Sequence, residues 1–200
     1  MCRRDFHPQV QQLDSLHPHR DTIPIYVSAL FPKMTELCGE IADGLILTRS
    51  TLKTAARART HIAAGAGRAG RDAARIEISS LLPASVDEDR NRAFAAARPG
   101  LAFYAGFFPR YNRLIAESGF PQEAAAIGRA WAAGNRTAAE HAVTDDMISA
   151  TGVVGEPAEC RERLEAYRAL GLDLPIVSPF ARGPGAREKF LAVIEACAPR

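Results

Sequence analysis

The chain has 200 residues, 47% of them hydrophobic and 24% charged, a composition that suits one globular domain with a real core and argues against disorder. Its formal charge of +2, with 25 basic residues scattered along the chain, excludes the dense basic face of a nucleic-acid binder. There is no run of 18 apolar residues, so no membrane span is expected.

Residues 1–22 show no hydrophobic period and include Pro8 and Pro18, so they read as an N-terminal arm. The opening MCRRDFHPQVQQ is basic but lacks the apolar stretch of an export leader. His7, His17 and His19 are disfavoured as a metal site, because His17-Pro18-His19 fixes no helical face and brings no fourth ligand. The four cysteines, Cys2, Cys38, Cys160 and Cys197, have no CxxC pairing and are expected as reduced, mostly packed thiols, in keeping with a cytoplasmic protein.

Residues 23–49, IPIYVSALFPKMTELCGEIADGLILTR, predict strand, turn, helix and strand. The run 23–30 is short, apolar and rich in β-branched and aromatic residues, as in a parallel strand covered on both faces. Pro32 suits the first turn of a helix, where its missing N–H is unpaired anyway. Met34, Leu37, Cys38 and Ile41 then form an i, i+3, i+4, i+7 stripe that should lie on a sheet. Asp43-Gly44 ends that helix and residues 45–48 form a second strand, completing a right-handed βαβ unit.

Ser50 is placed to cap a helix over residues 51–64. Gly65-Ala66-Gly67-Arg68-Ala69-Gly70 matches GxGxxG, but a helix precedes it and a strand follows, the reverse of a dinucleotide fingerprint. It reads as a helix end and turn. A third strand over residues 75–82 is expected to stop at Pro83, and Asp87, Glu88 and Asp89 to supply acid to the first turn of the next helix. An alanine-rich helical insertion follows, within about residues 87–150, with expected breaks at Pro99-Gly100, Pro109 and Gly119-Phe120-Pro121. Its aromatic residues Phe103, Tyr104, Phe107, Phe108 and Tyr111 either line a pocket or pack the insertion on itself. Short helical signals come at 145–150 and from Pro157, where Cys160, Leu164 and Tyr167 make an apolar edge closed by Gly171. A fourth strand over 174–180 and a last helix over 184–197, packing through Phe190, Leu191 and Ile194, complete the chain. Such alternation predicts an α/β fold with a parallel sheet or barrel, in which Ile25, Val27, Leu45, Leu47, Ile76, Ile78, Ile176 and Val177 are buried strand residues.

The segment IPIYVSALFPKMTELCGEIADGLIL resembles P-I-Y-V-A-A-x-G-P-K-M-x-x-L-A-G-E-x-A-D-G of the bacterial luciferase-like monooxygenase superfamily, especially its deazaflavin (coenzyme F420) branch. HIAAGAGRAGRDAARIEIS, LAFYAGFFPRYNRLIAESGF and VVGEPAECRERLEAYRALGLDLPIVSP extend the likeness from about residue 22 to the C-terminus. The resemblance implies a partial TIM (β/α)8 barrel made of strands five to eight, with the helical insertion before the last strand. Residues 23–200 would be its C-terminal half. It further implies a site for coenzyme F420 or FMN at the C-terminal ends of the strands. There the turn after strand five maps onto Ala29, Leu30, Phe31, Pro32 and Lys33, and the end of strand six onto Thr48 and Arg49. Phe31 departs from the pattern, which has a small residue before Pro, and its benzyl group stands in the way of a phosphate. Strands one to four, which carry the acid or base in this family, have no counterpart here, so no catalytic residue is assigned.

Two functions follow from the resemblance. The chain is the C-terminal part of a flavin- or F420-dependent oxidoreductase or monooxygenase acting on a small organic substrate. Alternatively, it is a non-catalytic half barrel that serves assembly. Either way a homo-oligomer, or association with the missing N-terminal half, is the expected state.

Overall fold

The structure, a computed structural model, describes residues 22–179, 181 and 183–199. The histidines of the N-terminal arm lie outside the described residues. Five strands, all parallel, form one sheet: β1 (Tyr26–Ser28), β2 (Gly44–Thr48), β3 (Glu77–Val86), β4 (Val153–Gly155) and β5 (Leu174–Pro179). Ser79 to Leu81 of β3 pair with β2 and also with β5, so these two flank β3 on opposite sides. Ala84 pairs with both β4 and β5, which puts β4 on the β2 side, beyond the point where β2 has ended.

That gap explains why β3 passes through Pro83 instead of stopping there. The Leu81 carbonyl accepts the Arg49 N–H on the β2 side, and by alternation the Pro83 nitrogen faces the same way. The last β2 partner is at Leu81 and the first β4 partner at Ala84, so the N–H that proline lacks costs no ladder bond. The three-residue β4 was not expected at all; VVG is too short for any period to register.

Helices α1 (Pro32–Ile41), α2 (Leu52–Arg68), α8 (Pro157–Ala169) and α9 (Ala186–Cys197) cover one face of the sheet. Their core contacts include Cys38, Ile62, Leu164, Tyr167 and Val193 against Leu45, Ile78 and Leu82. The glycine motif belongs to this packing and to a helix stop. Gly65 and Gly67 lie inside α2, which runs past the expected end at residue 64. Gly70 takes a left-handed φ of 65°, and the Arg71 N–H returns to the Ala66 carbonyl at 2.9 Å in a Schellman-type closure. A Cβ at Gly65 would stand 1.8 Å from the Glu36 carbonyl oxygen of α1, and one at Gly39 would stand 2.4 Å from the Ile62 carbonyl oxygen of α2. The two helices therefore meet backbone to backbone.

The insertion, α3 (Arg90–Phe107), α4 (Pro109–Glu117), α5 (Pro121–Ala132), α6 (Arg136–His141) and α7 (Asp145–Thr151), has its own core around Phe94, Leu101, Ile115, Ile127, Met147 and Ile148. It breaks at Pro109 and Pro121 as expected, but α3 continues through Pro99. The Ala95 carbonyl freed by that proline lies on the exposed side of the helix and is open to water. Asp89 is the N-cap of α3, accepting the Asn91 N–H at 2.9 Å, so the acidic run precedes the helix and adds no acid to its first turn.

Burial corrects several expectations. Leu45, Leu47 and Ile78 are buried in strands, Val27 and Val177 pack against the same core, and Ile76 is buried just before β3. Ile25 precedes β1 and is 61% exposed, and Ile176 is half-buried. On α1 the buried residues are Thr35, Cys38 and Gly39; Met34, Leu37 and Ile41 face outward. On α9 Val193 and Ala196 are buried, whereas Phe190, Leu191 and Ile194 are exposed. The hydrophobic period was real in both helices, but it describes a stripe broader than the single face the described sheet covers.

Candidate functional site

The β1–α1 turn continues the strand ladder by one bond, with the Ala29 N–H donating to the Ile46 carbonyl at 3.2 Å. Ala29 is buried, Leu30 and Phe31 are half-buried, and Pro32 and Lys33 are exposed. Phe31 is the N-cap of α1 and offers no side-chain cap; Pro32 occupies the first turn, which contains no acidic residue. The Met34 and Thr35 N–H groups both reach the Phe31 carbonyl at 3.1 Å. The positive end of the α1 dipole thus opens at the C-terminal end of β1, uncompensated by a carboxylate of its own. The Phe31 ring is turned toward α4, 4.8 Å from the Arg113 guanidinium.

On the neighbouring strand, Thr48 is half-buried and ends β2, and Arg49 follows with a φ of 48°, the one non-glycine residue with positive φ among the described residues. Its side chain is no free surface cation. Arg49 is 4% exposed and its guanidinium lies 4.0 Å from the centre of the Tyr104 ring of α3. Burial pulls its pKa down to about 10, against the favourable effect of the Tyr104 and Tyr111 hydroxyls. Since β1 and β2 are adjacent, the structure brings the two expected segments, 29–33 and 48–49, to one end of neighbouring strands.

The sequence singled out the aromatic residues above these turns but neither their contact with the turns nor the hydroxyl network behind them. The aromatic group of α3 and α4 leans on both: Tyr104 carries Arg49, and Arg113 spans to Phe31. Phe103 stacks on Phe107 at 5.5 Å and meets Trp131 edge-on at 5.7 Å, while Tyr104 meets Tyr111 at 5.1 Å. These aromatics pack the insertion on itself, and Tyr104 also meets Arg49 at the end of β2. Behind the β2 turn, the buried Ser50 and Ser80 hydroxyls lie 2.7 Å apart, and the Tyr167 hydroxyl of α8 donates to the Ser50 carbonyl at 2.5 Å. No local spacing connects Tyr167 to Ser50, so nothing in the sequence announces that bond.

One opening adjoins the β1–α1 turn, and another lies apart from both turns. A cleft of about 110 Å³ between α1, α2 and α4 is lined by Phe31, Pro32, Thr35, Thr54, Arg57 and His61. A larger one of about 300 Å³ at the ends of β3 and β5 is lined by Ser85, Asp87, Arg92 and Lys189. His61 meets Glu36 at 3.2 Å, and hydrogen bonds from His61 and Arg68 hold the Glu36 carboxyl below its ordinary range. Among the described residues no group of three metal-ligating side chains occurs, and no helix is long and apolar enough to cross a membrane.

This arrangement can bind an anion beside a cluster of aromatic side chains packed mostly edge to face. The sequence is 34% identical over 174 residues to a 5,10-methylenetetrahydromethanopterin reductase of Methanolobus tindarius, covering 86% of this chain and 52% of the relative. It is 30% identical over 156 residues to the enzyme of the same name from Archaeoglobus fulgidus, covering 76% and 46%. Among solved structures, the coenzyme F420 dependent tetrahydromethanopterin reductase from Methanopyrus kandleri superposes with a TM-score of 0.76 at 28% identity, over 88% of this chain and 50% of that one. An F420-dependent secondary alcohol dehydrogenase superposes with a TM-score of 0.61 at 22% identity, a likeness of fold. The chain spans about half the length of the curated relatives it matches. Residues 3–174 match the luciferase-like monooxygenase family, and the chain belongs to it.

Proposed function

We propose that the chain is the C-terminal half of a coenzyme F420-dependent oxidoreductase, in which the β1–α1 turn and the end of β2 hold the phosphate-bearing end of the cofactor for hydride transfer to a small organic substrate. The observation that carries this reading is the meeting, on adjacent strand ends, of an uncapped helix N-terminus and a buried arginine. Both favour an anion, and strand C-terminal ends are where barrel enzymes bind their ligands.

The residues present fit such a group. Main-chain N–H groups of Leu30, Phe31 and Lys33, the Thr48 hydroxyl and the Arg49 guanidinium would hold it. Bound there, the deazaflavin supplies the hydride chemistry. The chain itself contributes charge and orientation through Arg49 and the α1 dipole, and the Tyr104 ring shields the Arg49 guanidinium. F420 is favoured over FMN because the relatives matched at 34% and 30% identity are reductases of a kind whose solved representative is called F420 dependent. A methanopterin-like one-carbon carrier is the substrate class those relatives' names bring forward. The free thiols of Cys38, Cys160 and Cys197 agree with a reducing cytoplasm as its place of work.

The same reading accounts for the face of the sheet opposite the helices, where Tyr26 and Leu81 are exposed. Parallel sheets are covered on both faces almost without exception. Four adjacent parallel strands, β1, β2, β3 and β5, make half of an eight-stranded barrel whose other half would cover that face and supply the acid or base. A second reading, an assembly module without catalysis, is favoured by the exposed apolar flanks of α1 and α9 alone.

Titrating the purified chain with coenzyme F420 and with FMN, by quenching of cofactor fluorescence, tests the proposal. F420 should bind at least about fivefold more tightly, a difference of roughly 1 kcal/mol. Tighter FMN binding would reassign the site to flavin, and no binding of either would leave the assembly module.

A further inference from the structure

We infer that Tyr167 is a positioning residue for the cofactor-facing turn: its hydroxyl, donated to the Ser50 carbonyl, holds Arg49 in the left-handed conformation that lays the guanidinium on Tyr104. This rests on the reading of residues 48–49 as part of the cofactor site.

A non-glycine residue at positive φ persists only where its surroundings over-determine it, and such positions concentrate at ligand sites. Arg49 is restrained from several sides. Its own N–H donates to the Leu81 carbonyl at 3.1 Å, which ties the residue to β3. The next residue, Ser50, is 3% exposed and is held twice: by side chain to Ser80 at 2.7 Å, and by carbonyl to the Tyr167 hydroxyl at 2.5 Å. Thr51 then closes a capping box with Thr54, its hydroxyl accepting the Thr54 N–H at 3.1 Å while its own N–H donates to the Thr54 hydroxyl at 2.7 Å.

Of these restraints, Tyr167 alone comes from α8, 117 residues away along the chain. It is fully buried on α8, with the Arg163 guanidinium 5.4 Å from its ring. The Ala150 carbonyl at the end of α7 accepts from Arg163 at 3.0 Å and lies 3.4 Å from the Tyr167 oxygen. One hydroxyl therefore stands where the β2–α2 turn, the end of the insertion and the helix layer meet. If it is removed, the buried Ser50 carbonyl loses its donor and the Ser50–Thr51 peptide its anchor, so Ser50 can shift and the strained φ of Arg49 can relax toward an ordinary value. That relaxation would carry the guanidinium off Tyr104.

The bland role, a core tyrosine whose hydroxyl is merely satisfied, makes a different prediction, because phenylalanine fills the same ring volume. A double-mutant cycle in the full chain separates the two. Tyr167→Phe should weaken coenzyme F420 binding about tenfold when Arg49 is present, and less than about twofold in the Arg49→Ala background, because both changes then act through one group. Additive losses, or an unchanged dissociation constant in Tyr167→Phe, would overturn the assignment. A crystal structure of Tyr167→Phe gives a readout that does not depend on the cofactor. Arg49 should leave positive φ and leave Tyr104, and a retained φ near 48° with the stack intact would refute the positioning role. If the unsubstituted chain fails to bind F420, the cofactor reading falls, and the conformation of Arg49 in the variant still decides this one.

Discussion

In the proposed cofactor site, Phe31 stands where a close approach of cofactor to backbone would need a small side chain. As an N-cap it contributes no side-chain hydrogen bond to α1. What holds it is the half-buried environment of the ring and the Arg113 guanidinium at 4.8 Å. Arg113 is itself well exposed and paired with Glu117 at 2.7 Å, so the contact with Phe31 adds of order 0.5 kcal/mol. Glycine is an acceptable N-cap and would clear the path to the N–H groups of the first turn. Phe31→Gly is therefore expected to tighten F420 binding by roughly two- to fivefold, at a cost of about 1 kcal/mol of stability from lost ring burial. An unchanged or weaker dissociation constant, measured by the same fluorescence titration, would place the phosphate elsewhere.

Among the elements, α1 and α2 make the closest contact, and the glycines on their facing sides decide it. Gly65→Ala drives a methyl into the Glu36 carbonyl, a backbone atom that cannot rotate away, so a loss of about 3 kcal/mol is expected. Gly67→Ala, two residues on, has nothing within 4 Å of the added Cβ and should stabilise the helix by about 0.5–1 kcal/mol. Urea unfolding of the two variants gives the comparison, and equal effects would show that the interhelical distance is not set by these glycines. Sequence context alone rejected the nucleotide reading of this motif, because order of elements is legible locally. What it could not reveal is that Gly65 meets Glu36, a contact between residues on different helices. The same limit explains the other outcomes. Strand and helix identities followed from local period, and the turns at 29–33 and 48–49 from motif. The extension of β3 past Pro83, the outward stripes of α1 and α9, and the Tyr167 to Ser50 bond all depend on which element lies alongside.

For the whole molecule, those outward stripes have a direct consequence. Met34, Leu37 and Ile41 on the β1 flank, Phe190, Leu191 and Ile194 on the β5 flank, and Tyr26 and Leu81 on the open face of the sheet all leave large apolar groups in contact with water. Within the described sheet, β1 pairs only with β2 and β5 only with β3, so a ladder edge lies beside each apolar flank. Exposed edges and contiguous apolar patches drive association. At about 25 cal/mol per Å², covering even a few hundred Å² is worth several kcal/mol, comparable with the 5–15 kcal/mol by which a domain is ordinarily stable. The chain on its own is therefore expected to dimerise, to recruit a complementary half barrel, or to aggregate, and not to turn over substrate. Adding a separately expressed N-terminal half of a related reductase should convert the associated species into a defined complex. Light scattering after gel filtration measures this directly: a sharp, stable monomer of 21.6 kDa that also reduces substrate with F420 would mean that these flanks need no cover and that the four strands form a complete fold.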